Sequence, residues 1–530
     1  MSDTTPPSAP APRAGRREWI GLAVLALPAL LVSIDVFVML LALPSLADSL
    51  HAGSVQQLWI TDIYSFMLAG LLVTMGSLGD RIGRRRLLLI GAAAFGLASV
   101  AAAYAVNPAM LIAARALLGV AGATLAPSTL SLITAMFQDA RQRGAAFGIW
   151  GACFSAGAVA GPIIGGTMLA HFWWGSAFLI GVPAMVLLLV LGPVLLPEFR
   201  DPEAGRPDLI SVLESLAAVL PAIWGLKEIA KDGWQPLSIA AVLAGLGFGI
   251  LFVHRQHHLT HPLLDLGLFR HRAFTAALLS LFLGTMLTGA VMFFVTQALQ
   301  LLYGRDPLHA GLWMLPAIAA NTVGFTLSPR LGQRFRPAYL IGGGLVLATI
   351  GMAVITGAEP GSGPAVLIAG FAVVFLGSGP MVTLGMGLVM GSAPVEKAGS
   401  AAALNETSGQ LGFALGIAAL GSVGAAVYRG ALRLPEGLPA EAVRAAGDSL
   451  TGAQEAARSL SGEVADALLA PARAAFAVEL HTVVTVAGVL LLATAALVTA
   501  LLRHLPPTGR PSDEAAAGPA GGSGTVPAAG

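Results

Sequence analysis

The sequence predicts an all-α membrane protein with about fourteen transmembrane helices. Of its 530 residues, 56% are hydrophobic and only 11% are charged. A soluble domain carries about 25% charged residues, and a chain as apolar as this one would expose more apolar surface than water tolerates. Most of the chain is therefore expected to lie in lipid.

Long apolar runs separated by polar connections define the predicted spans. Each run reaches or slightly exceeds the ~20 residues that cross ~30 Å of hydrocarbon, and the strict alternation of barrel strands is absent. Because only helices and closed barrels satisfy the backbone in lipid, the spans are predicted to be helices. They cover residues 19–43, 57–79, 87–106, 109–133, 145–170, 175–197, 208–229, 236–254, 273–300, 309–329, 337–357, 362–391, 398–427 and 476–502.

Basic residues are distributed unevenly between the two sets of connections. Roughly 20 of the 29 lysines and arginines lie in the N-terminal arm, in every second connection and in the tail, whereas about 8 lie on the opposite side. The positive-inside rule places the arginine-rich side, and with it both termini, in the cytoplasm. Both termini share a side only if the helix count is even, which supports fourteen.

The balance of charge and the motif content exclude several classes of function. The net charge of +1 provides no basic field for nucleic acid. The chain has no Gly-x-x-x-x-Gly-Lys-Ser/Thr phosphate loop and no metal-spaced His/Cys set. We therefore expect no cofactor, no metal and no enzymatic activity. Cys153 is the single cysteine and forms no internal disulfide.

Four ionisable side chains fall inside predicted spans: Asp35, Asp62, Arg115 and Glu406. A charge at that depth costs ~2.5–3.5 kcal/mol even on the gentlest scale, so these residues are functional candidates, with a structural ion pair as the alternative. A carboxyl group in a dry cavity is protonated more readily than in water. We predict that the three acids bind protons and a cation in turn, and that Arg115 is either a proton relay or a structural partner.

The connection after the second span has the sequence Gly-Ser-Leu-Gly-Asp-Arg-Ile-Gly-Arg-Arg-Arg at residues 76–86. Its glycines allow two helix ends to approach closely. Asp80 and Arg84 are spaced to pair with each other or with a neighbouring helix terminus. By composition alone, this segment is also consistent with a plain basic loop.

Small residues form a stripe along the fifth span. Gly157, Gly161 and Gly165 recur every four residues, so a facing helix can pack against them backbone to backbone. Pro162 removes a helical hydrogen bond and bends the helix. Such a seam suits a helix that rocks against its partner, although small-residue packing alone also explains the glycines.

These segments resemble the signatures of the major facilitator superfamily. Residues 76–86 resemble its signature loop between the second and third helices, residues 115–123 its intramembrane Arg…Gly motif, and residues 157–166 the motif of its antiporters. The surroundings of Asp35, Asp62 and Glu406 resemble the fourteen-helix drug:proton antiporter branch. The tenth helix has Asn321 where some relatives carry an acid.

The resemblance implies the superfamily fold, with two six-helix bundles and two inserted helices. The expected units are a disordered arm (1–18), an N-terminal bundle (19–200), the inserted helices with a cytoplasmic linker (201–272), a C-terminal bundle (273–502) and a disordered tail (503–530). Within the C-terminal bundle, residues 428–475 are predicted to form one or two amphipathic helices outside the membrane. They act there either as a solvated connector or as a lid over the outer vestibule.

The resemblance also implies a function: proton-coupled export of lipophilic cations by alternating access, from a monomer in a bacterial cell membrane. The acids would supply negative charge, and Phe37, Trp59 and Tyr64 are predicted wall residues for the drug. The predicted conformational switch comprises the glycines and charges of the signature loop and the seam of the fifth span: Gly79, Asp80, Arg81, Gly83, Arg84, Gly157, Gly161, Pro162 and Gly165.

Two alternatives stay open. An exporter of one specific antibiotic or other natural product would use the same scaffold. A non-transport membrane receptor or scaffold fits the helix count, but does not explain the buried acids.

Overall fold

The computed structural model describes residues 13–52, 54–200, 208–259, 262–264, 266–305, 307–359, 363–394 and 397–507. The described residues form eighteen α-helices and one short 3-10 helix, Leu266–Arg270. The helices of the first half are α1 (Arg16–Leu50), α2 (Ser54–Ile82), α3 (Arg84–Ala103), α4 (Pro108–Met136), α5 (Ala140–His171), α6 (Ser176–Leu179), α7 (Gly181–Leu195), α8 (Leu209–Asp232) and α9 (Pro236–His258). Those of the second half are α10 (Arg272–Leu301), α11 (Pro307–Trp313), α12 (Leu315–Gly332), α13 (Pro337–Ile355), α14 (Ala365–Gly391), α15 (Ala398–Ala431), α16 (Ala440–Asp448), α17 (Leu450–Ala457) and α18 (Gly462–Leu502).

The all-helical membrane fold predicted from the sequence is confirmed. Eleven helical segments of the described chain are long and apolar enough to cross a membrane. The three other predicted spans fall on α5, α8 and the α11–α12 pair, which are helical over most of the predicted residues. The last helix begins at Gly462 rather than at residue 476, because an alanine-rich stretch continues it outward.

Local sequence chemistry sets several helix starts. The Asn107 side chain accepts a hydrogen bond from the Met110 amide at the start of α4, and Pro108 occupies the first turn, where its missing N–H costs nothing. Asp139 caps α5 in the same way through the amides of Arg141 and Gln142. Between α2 and α3 the backbone of Gly83 has a φ of 107°, a conformation that favours glycine.

Glycines set the helix spacing in the N-terminal bundle. Gly157 of α5 packs so closely on α1 that a Cβ there would collide with the Leu30 carbonyl oxygen, and a Cβ at Gly165 would lie 2.9 Å from Val38 Cγ2. Gly161 between them is buried. The facing helix of the predicted seam is therefore α1 of the same bundle, so the seam lies inside this bundle. The side chain of Pro162 lies outside the described residues.

Glycines set the helix spacing in the C-terminal bundle as well. A Cβ at Gly351 of α13 would lie 2.6 Å from the carbonyl oxygen of Gly370 on α14, and a Cβ at Gly412 of α15 would lie 2.5 Å from the Phe282 carbonyl oxygen on α10. Backbones that approach this closely gain the van der Waals contact that holds helices together in lipid.

The segment after α15 forms a cap on the C-terminal bundle. The Tyr428 hydroxyl donates to the Ala446 carbonyl oxygen at 3.0 Å, and Gln454 Nε2 donates to the Leu301 carbonyl oxygen at 3.0 Å. Leu450 is buried with the core of that bundle. The predicted amphipathic helices are present as α16 and α17, and these contacts attach them to the ends of α10 and α15.

The α8–α9 hairpin packs on one side of the two bundles. Ile223 of α8 is buried with Phe66 and Ala69 of α2, and Leu411 of α15 packs against the same cluster. The hairpin therefore covers the line along which α2 and α15 meet. Most of α9, including Leu246, is exposed on the outside of the protein, as a lipid-facing helix would be.

Polar contacts tie the two ends of this hairpin together. Arg255 Nε donates to Asp208 Oδ2 at 2.7 Å. Gln256 Nε2 donates to Ser211 Oγ at 2.8 Å, while Gln256 Oε1 accepts from the Leu263 amide at 2.7 Å. The buried Gln256 side chain thus holds the linker that leads to the C-terminal bundle.

Candidate functional site

An ion pair lies inside the N-terminal bundle, between α1 and α4. Arg115 Nη1 donates to Asp35 Oδ2 at 2.6 Å, and Arg115 Nε donates to the Ile60 carbonyl oxygen at 3.1 Å. The Arg115 side chain is 2% exposed and that of Asp35 is 15% exposed. A guanidinium at this depth is tolerated because its charge and its N–H groups have partners. The structure therefore brings two of the predicted charges into direct contact.

Tyr64 completes the surroundings of Arg115. The guanidinium carbon lies 4.7 Å from the centre of the Tyr64 ring and 5.9 Å from that of Phe178, both cation–π distances. The Tyr64 hydroxyl is buried against Gly122 and has no hydrogen-bond partner among the described residues. Tyr64, predicted as a wall for the drug, packs beneath the ion pair in this conformation.

Glu406 approaches the same place from the C-terminal bundle. It lies on α15, which packs against α2 and α4 of the N-terminal bundle, and Gln410 Nε2 donates to Glu406 Oε1 at 3.5 Å. Its neighbours Asn405 and Thr407 are buried, and each has a side-chain oxygen without a hydrogen-bond partner in the described chain. An acid of the C-terminal bundle therefore lies on the helix that packs against α2 and α4, the helices that carry Tyr64 and Arg115.

For the remaining predicted binding residues, the structure describes the side chain of Trp59 but not those of Asp62 and Phe37. Trp59, at the beginning of α2, has a side chain that is 46% exposed. Asp62 and Phe37 fall on α2 and α1, but their side chains lie outside the described residues.

The signature loop joins the two bundles at the end that carries Arg85, Arg143 and Arg334, here called the arginine-rich end. Asp80 and Arg84 form a buried ion pair, and Ser400 Oγ of α15 donates to Asp80 Oδ2 at 3.3 Å. Close by, a Cβ at Gly399 would lie 2.6 Å from the Gly76 carbonyl oxygen.

The other predicted switch residues surround this contact. Gly79 packs against Leu87, Gly83 lies beside the Glu198 carboxylate, and Arg81 is partly exposed. The predicted loop therefore contacts the C-terminal bundle directly.

A second line of contact closes the same end between α5 and α12. A Cβ at Gly148 would lie 2.8 Å from the Phe325 carbonyl oxygen. Further along, Asn321 Nδ2 donates to Ser155 Oγ at 3.1 Å. Met386, Val389, Met390, Ala398, Ala401 and Ala402 of the C-terminal bundle are buried in one core with the N-terminal bundle. The arginine-rich end is therefore sealed on both sides.

Glu479 of α18 is a buried acid that the sequence reasoning missed. It is 8% exposed, its carboxylate lies against Gly424 of α15 and Phe294 of α10, and it has no hydrogen bond among the described residues. Arg429 acts on it electrostatically without forming an ion pair. Its place within the predicted span 476–502 was the signal that would have identified it.

We expect Glu479→Leu to stabilise the protein, because it replaces an unpaired buried carboxyl group by an apolar side chain of similar size. The gain should be roughly 1–3 kcal/mol, the usual cost of an unsatisfied buried polar group. Thermal unfolding in detergent measures it, with Glu463→Leu at an exposed position of the same helix as the unchanged control. A lower unfolding temperature for Glu479→Leu would show that the carboxylate stabilises the fold.

Two helical bundles that close against each other at one end, with an ion pair inside one of them, have the architecture of a membrane transporter. The chain belongs to the Major Facilitator Superfamily, whose family model matches residues 25–417. It is accordingly a multi-pass protein of the cell membrane, as the sequence predicts.

Several named proteins are similar over nearly the whole chain. It is 44% identical to the multidrug efflux pump LfrA of Mycolicibacterium smegmatis, covering 93% of this chain and 98% of that protein. It is 33% identical to the methyl viologen resistance protein SmvA of Salmonella typhimurium, covering 90% and 96%. It is 31% identical to the tetracenomycin C resistance and export protein of Streptomyces glaucescens, covering 91% of each chain.

Solved structures share the fold. The human organic anion transporter MFSD10 (TETRAN) superposes with a TM-score of 0.58 at 15% identity, covering 91% of this chain and 99% of that one. A bacterial homolog of the human lysosomal transporter Spinster superposes with a TM-score of 0.53 at 19% identity, covering 92% and 98%.

Proposed function

We propose that the protein exports lipophilic cations, among them quaternary ammonium compounds and cationic dyes, in exchange for protons. The observation that carries the proposal is the Asp35–Arg115 pair, with Glu406 on α15, the helix of the other bundle that packs against α2 and α4. Similarity to a multidrug efflux pump and to a methyl viologen resistance protein supports it. In this proposal the arginine-rich end and both termini are cytoplasmic.

In this proposal the charge of Arg115 is permanent, whereas the charges of Glu406 and Asp35 change when these residues bind protons. Arg115 is held by the Ile60 carbonyl oxygen and by Tyr64, and it neutralises ionised Asp35. Net negative charge for a cation then comes from Glu406, together with Asp62. A proton that binds Glu406 removes this attraction and releases the cation. A second proton on Asp35 breaks its pairing with Arg115 and alters the packing of α1 on α4.

Alternating access follows from the contacts at the arginine-rich end. The Ser400–Asp80 hydrogen bond and the close approach of Gly399 to Gly76 close the cytoplasmic side in this conformation. Cation uptake from the cytoplasm requires these contacts to open. Both join one bundle to the other, so rigid rotation of the bundles breaks them without unfolding either bundle.

The driving force sets a limit on stoichiometry. Exchange of one monovalent cation for one proton is electroneutral, so only the pH gradient drives it, at ~1.4 kcal/mol per pH unit. A second proton adds the membrane potential, ~2.3 kcal/mol per 100 mV. Asp35, Asp62 and Glu406 offer enough carboxyl groups for two protons.

Ethidium efflux from energised cells tests the proposal. We expect a proton uncoupler to abolish efflux, and Asp35→Asn and Glu406→Gln each to reduce it at least about tenfold, because each removes a charge that the cycle needs. Glu455→Gln, at an exposed position of α17, is the control and should behave as the wild type. Efflux that survives the uncoupler would refute proton coupling, and full efflux by both variants would refute the site.

Export of one neutral natural product is the second candidate, favoured by the similarity to the tetracenomycin C export protein. A neutral substrate needs no acid to bind it. Export of such a compound should therefore continue in Glu406→Gln under a membrane potential, whereas cation export should not. Comparing the two substrates in this one variant separates the candidates.

A further inference from the structure

We infer that an apolar cavity between α5 and α12 holds the hydrocarbon part of the exported cation, while its charged group lies toward the acids. This inference rests on the proposed function. The cavity has a volume of about 490 Å³, which falls within the usual range for small-molecule sites. Ala156, Ala160 and Ile164 of α5 form one wall, and Ile318 and Ala319 of α12 form the other.

The two helices separate at a defined point. On the arginine-rich side, Gly148 packs against the backbone of Phe325, and the Asn321–Ser155 hydrogen bond follows. Beyond that bond the helices diverge and the cavity begins. At the far end, α11 contacts α5 again. The cavity is therefore a window between the bundles, closed above and below and open at the side.

The lining excludes a charged group. Besides alanine, isoleucine and leucine, it contains one hydroxyl, that of Thr322, which already donates to the Ile318 carbonyl oxygen at 3.0 Å. No lining residue offers an ionised side chain to a ligand. An apolar group that comes from water gains free energy on entering such a cavity, whereas an ammonium group would lose its hydration without compensation.

The packing of α1 on α5 places Asp35 at the depth of the cavity. Gly157 lies against Leu30 and Ser33, and Gly165 lies against Val38. Asp35 thus falls between these two contacts, level with the middle of the Ala156–Ile164 wall. On the surface of α5, the glycines that pack on α1 lie next to the residues that line the cavity.

The inserted hairpin covers the line along which α2 and α15 meet. Along the α2–α15 line, Ile223 of the inserted helix α8 is buried against Phe66 and Ala69. The inserted hairpin therefore fills one lateral opening and leaves the α5–α12 opening to the substrate. The class of substrate that fits is an amphiphilic cation with an extended hydrocarbon chain, such as a long-chain alkyl quaternary ammonium ion, rather than a compact dication.

The test compares efflux of dodecyltrimethylammonium with efflux of methyl viologen in cells that express each variant. Ala160→Phe and Ala319→Phe fill the cavity from opposite walls. We expect each to lower dodecyltrimethylammonium efflux at least about tenfold, since loss of burial for two methylene groups already changes affinity tenfold. Methyl viologen efflux should stay within about twofold of the wild type, which also shows that the variants fold.

The control variant is Ile149→Phe, on an exposed side of the same helix, which should leave both rates unchanged. Unchanged dodecyltrimethylammonium efflux in both cavity variants would overturn the inference. The cavity would then be a site for lipid chains rather than for the substrate. An equal loss of both substrates would overturn it too, because the cavity would then serve rotation of the bundles rather than the alkyl chain. If the wild type exports neither compound, the proposed function itself fails.

Discussion

Replacing Arg115 by leucine is expected to destabilise the protein by ~3–5 kcal/mol and to abolish transport. Removing one partner of a buried ion pair leaves the other charge without compensation, which costs far more than the pair contributes. Here Arg115 Nη1 lies 2.6 Å from Asp35 Oδ2, and the two side chains are only 2% and 15% exposed. Denaturant unfolding in detergent measures the first effect, and cation efflux from cells measures the second.

The double variant Arg115→Leu/Asp35→Leu separates stability from function. Because it removes both charges, we expect most of the lost stability to return. Transport should remain absent, since the Asp35 carboxyl group that the proposed cycle protonates is gone. Arg458→Leu breaks a fully exposed pair with Glu455 and should change stability by less than ~1 kcal/mol. If the double variant recovered transport together with stability, the pair would be structural, and Asp35 would have no part in the cycle.

The sequence predicted the helices, and it pointed to the charged candidates, because both signals depend on the bilayer as solvent. Apolar length alone identifies a span, and a charge within one is conspicuous without any knowledge of packing. Asp35 and Arg115 were found in this way. The contact between them was not predictable, because the two residues lie on different helices, α1 and α4. How closely these helices approach depends on tertiary packing, in which Gly157 of α5 packs on α1 and Gly119 of α4 packs on α2.

Other features depended on tertiary packing that no local pattern encodes. Residues 428–475 showed helical spacing, but docking on the C-terminal bundle required the Tyr428 and Gln454 hydrogen bonds. Glu479 was overlooked because it lies only four residues into the predicted span, where water is usually near; α18 begins at Gly462, so the acid is buried instead. The position of Asn321 was noted as a substitution for an acid, whereas its contact with Ser155 across the bundles came from the fold.

Gly399→Ala is expected to reduce transport at least about tenfold without unfolding the protein. The added Cβ would lie 2.6 Å from the Gly76 carbonyl oxygen and 2.6 Å from Asp80 Oδ1, and a backbone oxygen cannot move aside as a flexible side chain does. Overpacking of this kind costs ~1–3 kcal/mol. That cost falls only on the conformation in which the arginine-rich end is closed, so its population relative to the open one drops by roughly 5–150-fold.

Cysteine accessibility reports this shift directly. In a Cys153→Ala background, a cysteine introduced at Ala401, which is fully buried between the bundles, should react with a membrane-impermeant maleimide in inverted vesicles faster when Gly399→Ala is present. Gly409→Ala is the matched control. Gly409 lies on the same helix as Gly399, and a Cβ added there would meet nothing within 4 Å. Equal labelling rates in all three proteins would contradict the assignment of this contact as the cytoplasmic closure. Faster labelling confined to Gly399→Ala would tie loss of transport to one backbone contact, since the binding acids and the cavity are unchanged in that variant.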